Sequence, residues 1–112
     1  MELIVGMMLA HSEEASQLRL EGAVDVGEAS HLKDLLLDSL TAGKKICVDL
    51  AHATYLDITC IQLLYALERE TQRGGLELEL LAGPAEDVAR GLNDAGMERL
   101  WFARPADSGT QA

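Results

Sequence analysis

Leu56-Asp57-Ile58-Thr59-Cys60 sets a carboxylate and a hydroxyl just ahead of an apolar run, Ile61 to Leu67. Two kinds of chemistry fit that spacing. In the first, Thr59-Cys60-Ile61-Gln62 is a capping box: Thr59 accepts from the backbone of the third helical residue and Gln62 reaches back. Asp57 then complements the positive end of the helix dipole. In the second, the free N–H groups of a helix start accommodate phosphate, and Thr59 is a phosphoacceptor. The added charge, about −1.5 to −2, would redraw a docking surface. Both readings require the same local fold, a strand delivering a short turn into a helix.

No other constellation competes with this turn. His11, His31 and His52 are spread along the chain without ligand spacing, so no metal is expected. Ser30, Ser39 and Cys60 lack a base–acid arrangement, which leaves no catalytic residue to name. Neither a phosphate loop nor a dinucleotide fingerprint occurs, and no cofactor is implied. Cys47 and Cys60 do not form a Cys-x-x-Cys pair; they read as reduced, small hydrophobes of a cytoplasmic protein.

Charge narrows the partners. Nineteen acidic residues against nine basic ones give a net charge of −10. The few, scattered Lys and Arg cannot neutralise a run of phosphates, so nucleic acid is excluded as an expected partner. An acidic surface disfavours anionic membranes and attracts basic protein patches. The amino terminus is apolar but short, lacks a basic leader and runs into Glu13-Glu14, so it reads as a strand. No run is long enough to cross a bilayer, and a soluble chain without membrane insertion is expected.

The elements that must position the turn follow from periodicity. At 112 residues and 48% hydrophobic, the chain reads as one domain, residues 1–102, with a frayed tail, residues 103–112. Residues 3–9 form a first strand, and Gln17-Leu18-Arg19-Leu20-Glu21 alternates as a second. Together they make an antiparallel pair. Gly22 to Gly27 breaks the strand. A helix from about Glu28 presents Leu32, Leu35, Leu36 and Leu40 on one face, leaves Leu37 off it, and ends at Gly43 in a left-handed cap. Ile46-Cys47-Val48-Asp49-Leu50 is a central strand, and the helix after the turn runs from about Thr59 to Gln72 with Ile61, Leu64 and Leu67 inward.

Leu76-Glu77-Leu78-Glu79-Leu80-Leu81 is a cleanly alternating strand. Pro84 suits the first turn of a helix carrying Val88 and Leu92. Met97 to Phe102 gives either a last short strand or an apolar clasp. The order is β-β-α-β-α-β-α-(β), an α/β fold with a mixed sheet and helices mostly on one face.

Several stretches in this order resemble the STAS domain, the module named for sulfate transporters and anti-sigma-factor antagonists. Leu20-Glu21-Gly22-Ala23-Val24-Asp25 is similar to the family's Gly-x-Leu-Asp turn. Val48-Asp49-Leu50 is followed seven residues later by Asp57. Gly74-Gly75-Leu76 leads into the next strand, and Leu92-Asn93-Asp94-Ala95-Gly96-Met97 lies near the end. The family's turn reads Asp-Ser-Ser-Gly, with the first serine phosphorylated by a partner kinase. Here Ile58 occupies that acceptor position and cannot take phosphate, Thr59 falls on the second serine, and Cys60 replaces the glycine. The variant resembles Asp-Leu-Thr-Gly-Leu-Gln-Leu-Leu versions associated with chemosensory signalling.

The resemblance implies a protein-interaction module of bacterial signal transduction, not an enzyme. Its partner would be an anti-sigma or histidine-kinase-like protein or a chemosensory component. The implied binding surface comprises Asp57, Ile58, Thr59, Cys60, Gln62 and Tyr65 with Gly22 and Asp25, and Thr59 is the candidate phosphoacceptor. Two other classes compete: a cytosolic STAS subunit of a lipid or anion ABC-type transport assembly, and, less favoured, a nucleotide-binding or enzymatic domain. Leu37 and the apolar first strand leave room for a homodimer.

Overall fold

A computed structural model describes residues 6–103. The first strand expected from residue 3 begins, within the described residues, as β1, Gly6–His11, and β2 spans Ala15–Val24. Helix α1 is Ala29–Ala42, β3 is Lys45–Leu56, α2 is Ile58–Gly74, β4 is Leu78–Ala82 and α3 is Glu86–Asp94. The strands form one sheet in the order β1-β2-β3-β4. β1 runs antiparallel to β2, whereas β2, β3 and β4 are mutually parallel. That is the mixed α/β architecture expected from the alternation of patterns. None of the described helices is long and apolar enough to cross a membrane. Of the expected tail, residues 103–112, only Ala103 is described, and it is buried.

One sheet face carries the core. Leu18, Leu20 and Val24 of β2 and Ile46, Val48, Leu50, Ala53 and Leu56 of β3 are buried there against Leu32 and Leu36 of α1 and Ile61, Leu64 and Leu67 of α2. The residues between them in β2 and β3, such as Arg19 and Asp49 in register with each other, point to the opposite face. On that face Lys45 bridges to Glu79 at 2.6 Å, tying β3 to β4. The burial of alternate aliphatic side chains is the main favourable term in such a fold. Leu37 stands off the α1 face and is exposed.

Helix ends follow the glycines. Gly43 and Gly75 close α1 and α2 in left-handed geometry, with φ of 70° and 74°, a conformation that glycine adopts without steric cost.

Several boundaries differ from expectation. β3 does not end at Leu50 but runs on to Leu56, and β4 begins at Leu78 and not Leu76. β2 does not break at Gly22 but continues to Val24, because Gly22 takes a left-handed φ of 75° and the ladder absorbs register shifts on either side of it. The chain then makes a single 3-10 turn, Val26–Glu28, and α1 begins at Ala29 with Glu28 as its N-cap, where the helix was expected to start. Pro84 precedes α3, which starts at Glu86 after an N-cap at Ala85. Of the two alternatives open for Met97 to Phe102, the strand does not form. Successive turns, closed by Met97 N–H on Leu92 O at 2.8 Å and Ala103 N–H on Leu100 O at 3.0 Å, use the backbone groups a strand would need. The segment is the clasp alternative: Phe102 is fully buried, Trp101 meets it edge-on with centroids 5.3 Å apart, and the indole N–H donates to Leu64 O at 2.8 Å.

Candidate functional site

β3 is longer than its apolar core requires, and the surplus carries it to the site. Between Asp49 and Tyr55 the strand gains residues relative to β2 through two register shifts. At the first, the Asp49 carboxylate accepts from the backbone N–H of Ala51 at 3.0 Å, a short-range turn that gives the extra residue a partner. Past these bulges Leu56 returns to the core, and the backbone N–H of Asp57 donates to Val24 O at 2.9 Å. The end of the β2–β3 ladder thus fixes where α2 can start.

At that point the chain is still extended, with Asp57 at φ −68° and ψ 154°. Its carboxylate accepts from the Thr59 N–H at 2.9 Å, and its carbonyl accepts from Ile61 N–H at 2.9 Å. Asp57 is therefore the N-cap, and the capping box expected around Thr59 and Gln62 does not form. Thr59 sits in the first helical turn, and Gln62 lies on the exposed side of α2. The physical reason is order along the chain: an aspartate caps at least as well as a threonine, and it is met first as the ladder ends. Asp57→Ala is expected to cost about 0.5–2 kcal/mol of stability by denaturant unfolding, and Asp57→Asn much less. Thr59→Ala, which loses no such bond, should stay within about 0.5 kcal/mol.

The glycine loop packs beside this cap. Asp25 caps its own 3-10 turn, accepting from Gly27 N–H at 3.0 Å, and its carbonyl faces the Cys60 thiol at 3.6 Å. Cys60 was expected among the contact residues, but it is fully buried and supports the turn from beneath. Burial pushes its thiol pKa upward, and the nearby carboxylates of Asp57, Asp25 and Glu28 push the same way. Cys47 is also raised, chiefly by burial. Both thiols are unpaired and stay protonated near neutral pH, as expected of small core hydrophobes.

What remains on the outside is apolar. Ile58 and Tyr65 lie about two turns apart on α2 and are 52% and 46% exposed; Val26 of the 3-10 turn is 63% and Tyr55 of β3 is 50% exposed. Asp57 and Thr59 are half-buried and Gly22 partly so, while Asp25 and Gln62 are exposed. The structure brings the Asp57 turn and the Gly22–Asp25 loop together, as the Val24–Asp57 and Asp25–Cys60 contacts require. Sequence reasoning missed Val26 and Tyr55. Their signal was present, an apolar residue inside a glycine turn and another at the end of a strand already rich in core residues. No group of three or more His, Cys, Asp or Glu capable of holding a metal occurs among the described residues.

The family model described as Mlab, STAS domain, matches residues 7–102. No curated protein matches the sequence. Among solved structures, the fold is similar to that of the anti-sigma factor antagonist SpoIIAA in its unphosphorylated form, at 15% identity and a TM-score of 0.69. That match covers 85% of this chain and 84% of the other. The phosphorylated form of SpoIIAA, a Bacillus cell fate determinant, gives a TM-score of 0.64 at 15% identity, covering 85% and 87% of the two chains. A Thermotoga maritima protein assigned as an anti-sigma factor antagonist gives 0.68 at 18% identity over 84% and 81%. At such identities the likeness carries the fold.

Proposed function

This chain belongs to the STAS-domain family, and from that premise we propose that it is a protein-interaction module of bacterial signal transduction. Its docking surface is the Asp57–Thr59 turn, the exposed side of early α2 and the Gly22–Asp25 loop. One observation carries this reading: Val26, Tyr55, Ile58 and Tyr65 hold large apolar area in water around a turn locked by the Asp57 cap and the Val24 and Asp25 contacts. Apolar groups held rigidly at the surface are what a partner can bury with little ordering cost. The partner in this reading is an anti-sigma or histidine-kinase-like protein or a chemosensory component.

Regulation, if the surface is switched, runs through Thr59. Ile58 offers no hydroxyl, and Thr59 stands in the first turn of α2, where the helix dipole favours negative charge. A phosphate there would lie beside Ile58 and oppose burial of that side chain. Thr59→Glu places a charge at the same helix end, so it should leave the unfolding midpoint unchanged or slightly raised while weakening partner binding about tenfold or more. Unchanged affinity would remove the switch. Intact-mass measurement of the protein from its native cells reads phosphate directly.

A second reading, a STAS subunit of a lipid or anion ABC-type transport assembly, draws on the same Ile58. An uncharged residue at the acceptor position gives a surface that can stay bound permanently. Isolation of the native complex separates the two: permease and ATPase subunits support the transport reading, and a kinase-like or chemosensory protein supports signalling.

A further inference from the structure

A groove continues from the docking surface toward α3. It has a volume of about 350 Å³ and is lined by apolar side chains including Tyr55, Ile58, Ile61, Val88, Leu92 and Met97, with Asp87 and Gly91 also on its wall. Pockets of this size lie at the lower end of those that take a small ligand, roughly 300–1,000 Å³. The charge around it is mostly acidic, with Arg99 beyond Met97 and Arg90 of α3 as the nearby cations in sequence. No lysine or arginine occurs in residues 46–68 or 74–89, which supply β3, early α2, β4 and the start of α3. Asp57 caps the helix that contributes Ile58 and Ile61, and α3 opens with Glu86 and Asp87. The single cation of α3, Arg90, is 3.1 Å from Asp87.

We infer that this groove receives a cationic amphipathic helix of the partner protein, its apolar side chains in the groove and its Lys or Arg over the Asp57 and Glu86–Asp87 carboxylates. The inference rests on the docking reading above and specifies its partner. Apolar walls between two helices suit the apolar face of a third. The surrounding acids select the sign of its polar face and speed encounter at low salt. Those acids also disfavour a fatty carboxylate or a lipid phosphate as the occupant.

Gly91 supplies the test. A Cβ added there meets no atom within 4 Å, and Gly91 is inside α3, where a non-glycine residue is the better helix former. Gly91→Leu should fill the groove with no fall in melting temperature; Gly91→Ala is the smaller substitute if the leucine perturbs folding. Randomised helical peptides displayed against the full chain serve as the probe. Selected peptides should be cationic with apolar side chains at i and i+4. They should bind more weakly as salt rises or with Asp87→Asn, and lose about tenfold or more in affinity for Gly91→Leu. Acidic or uncharged survivors, no survivors, affinity indifferent to Gly91→Leu, or displacement by a fatty acid would each overturn the inference. For the native partner, loss of binding on Tyr65→Ala with full retention on Gly91→Leu removes the groove alone. Retention on both removes the docking reading as well.

Discussion

Leu64→Ala should lower the unfolding free energy by about 2–5 kcal/mol, read as a shift of the urea midpoint at constant slope. Leu64 is fully buried in the centre of α2, between the sheet and the carboxy-terminal clasp, and its carbonyl accepts the Trp101 indole. Truncation removes apolar contact and leaves a cavity that the sheet on one side and the Trp101–Phe102 pair on the other can close only in part. A domain of this size has roughly 5–15 kcal/mol in total, so the variant should be near its limit at physiological temperature. A cost below about 1 kcal/mol would show that α2 is less firmly packed than its burial implies.

The adjacent residue should behave in the opposite way. Tyr65→Ala is expected to leave the urea midpoint nearly unchanged, within about 0.5 kcal/mol, because nearly half of Tyr65 faces solvent and it is outside the buried core. Partner affinity should fall by about 2 kcal/mol or more, roughly thirtyfold, since an exposed tyrosine on a rigid helix is the residue type that dominates interfaces. Titration of the isolated partner by calorimetry measures it. Equal affinity for wild type and variant would move the interface off this side of α2. Leu64 and Tyr65 thus divide the helix into a face that holds the fold and a face open to a partner.

Much of this was legible in the chain. The alternation in Leu76 to Leu81, the helical spacing of Leu32, Leu36 and Leu40, and the glycines at 43 and 75 each specify local structure through side-chain period or backbone freedom. The paired strands, the one-sided placement of helices and the position of the Asp57 turn followed from those periods. Local rules were weaker where two residues could serve one purpose. Asp57 and Thr59 are both good caps, and the choice fell to Asp57 because a hydrogen bond from its N–H to Val24 O, 33 residues earlier in the chain, ends the extended backbone there.

The same division holds for the surface. Residue type and order determined that an acid, an aliphatic residue and a hydroxyl precede an amphipathic helix, and that Ile58 cannot be phosphorylated. Tertiary structure decided which of them face water. Cys60 went inside beside the 3-10 turn, its thiol on Asp25 O, whereas Val26 came out on that turn, past the end of the ladder, and Tyr55 came out at the second β2–β3 register shift. The groove beside α3 was not readable at all, since its walls come from segments some thirty residues apart in sequence. Periodicity assigns a side chain to a face of its own element; only the packing of elements against one another determines whether that face is covered.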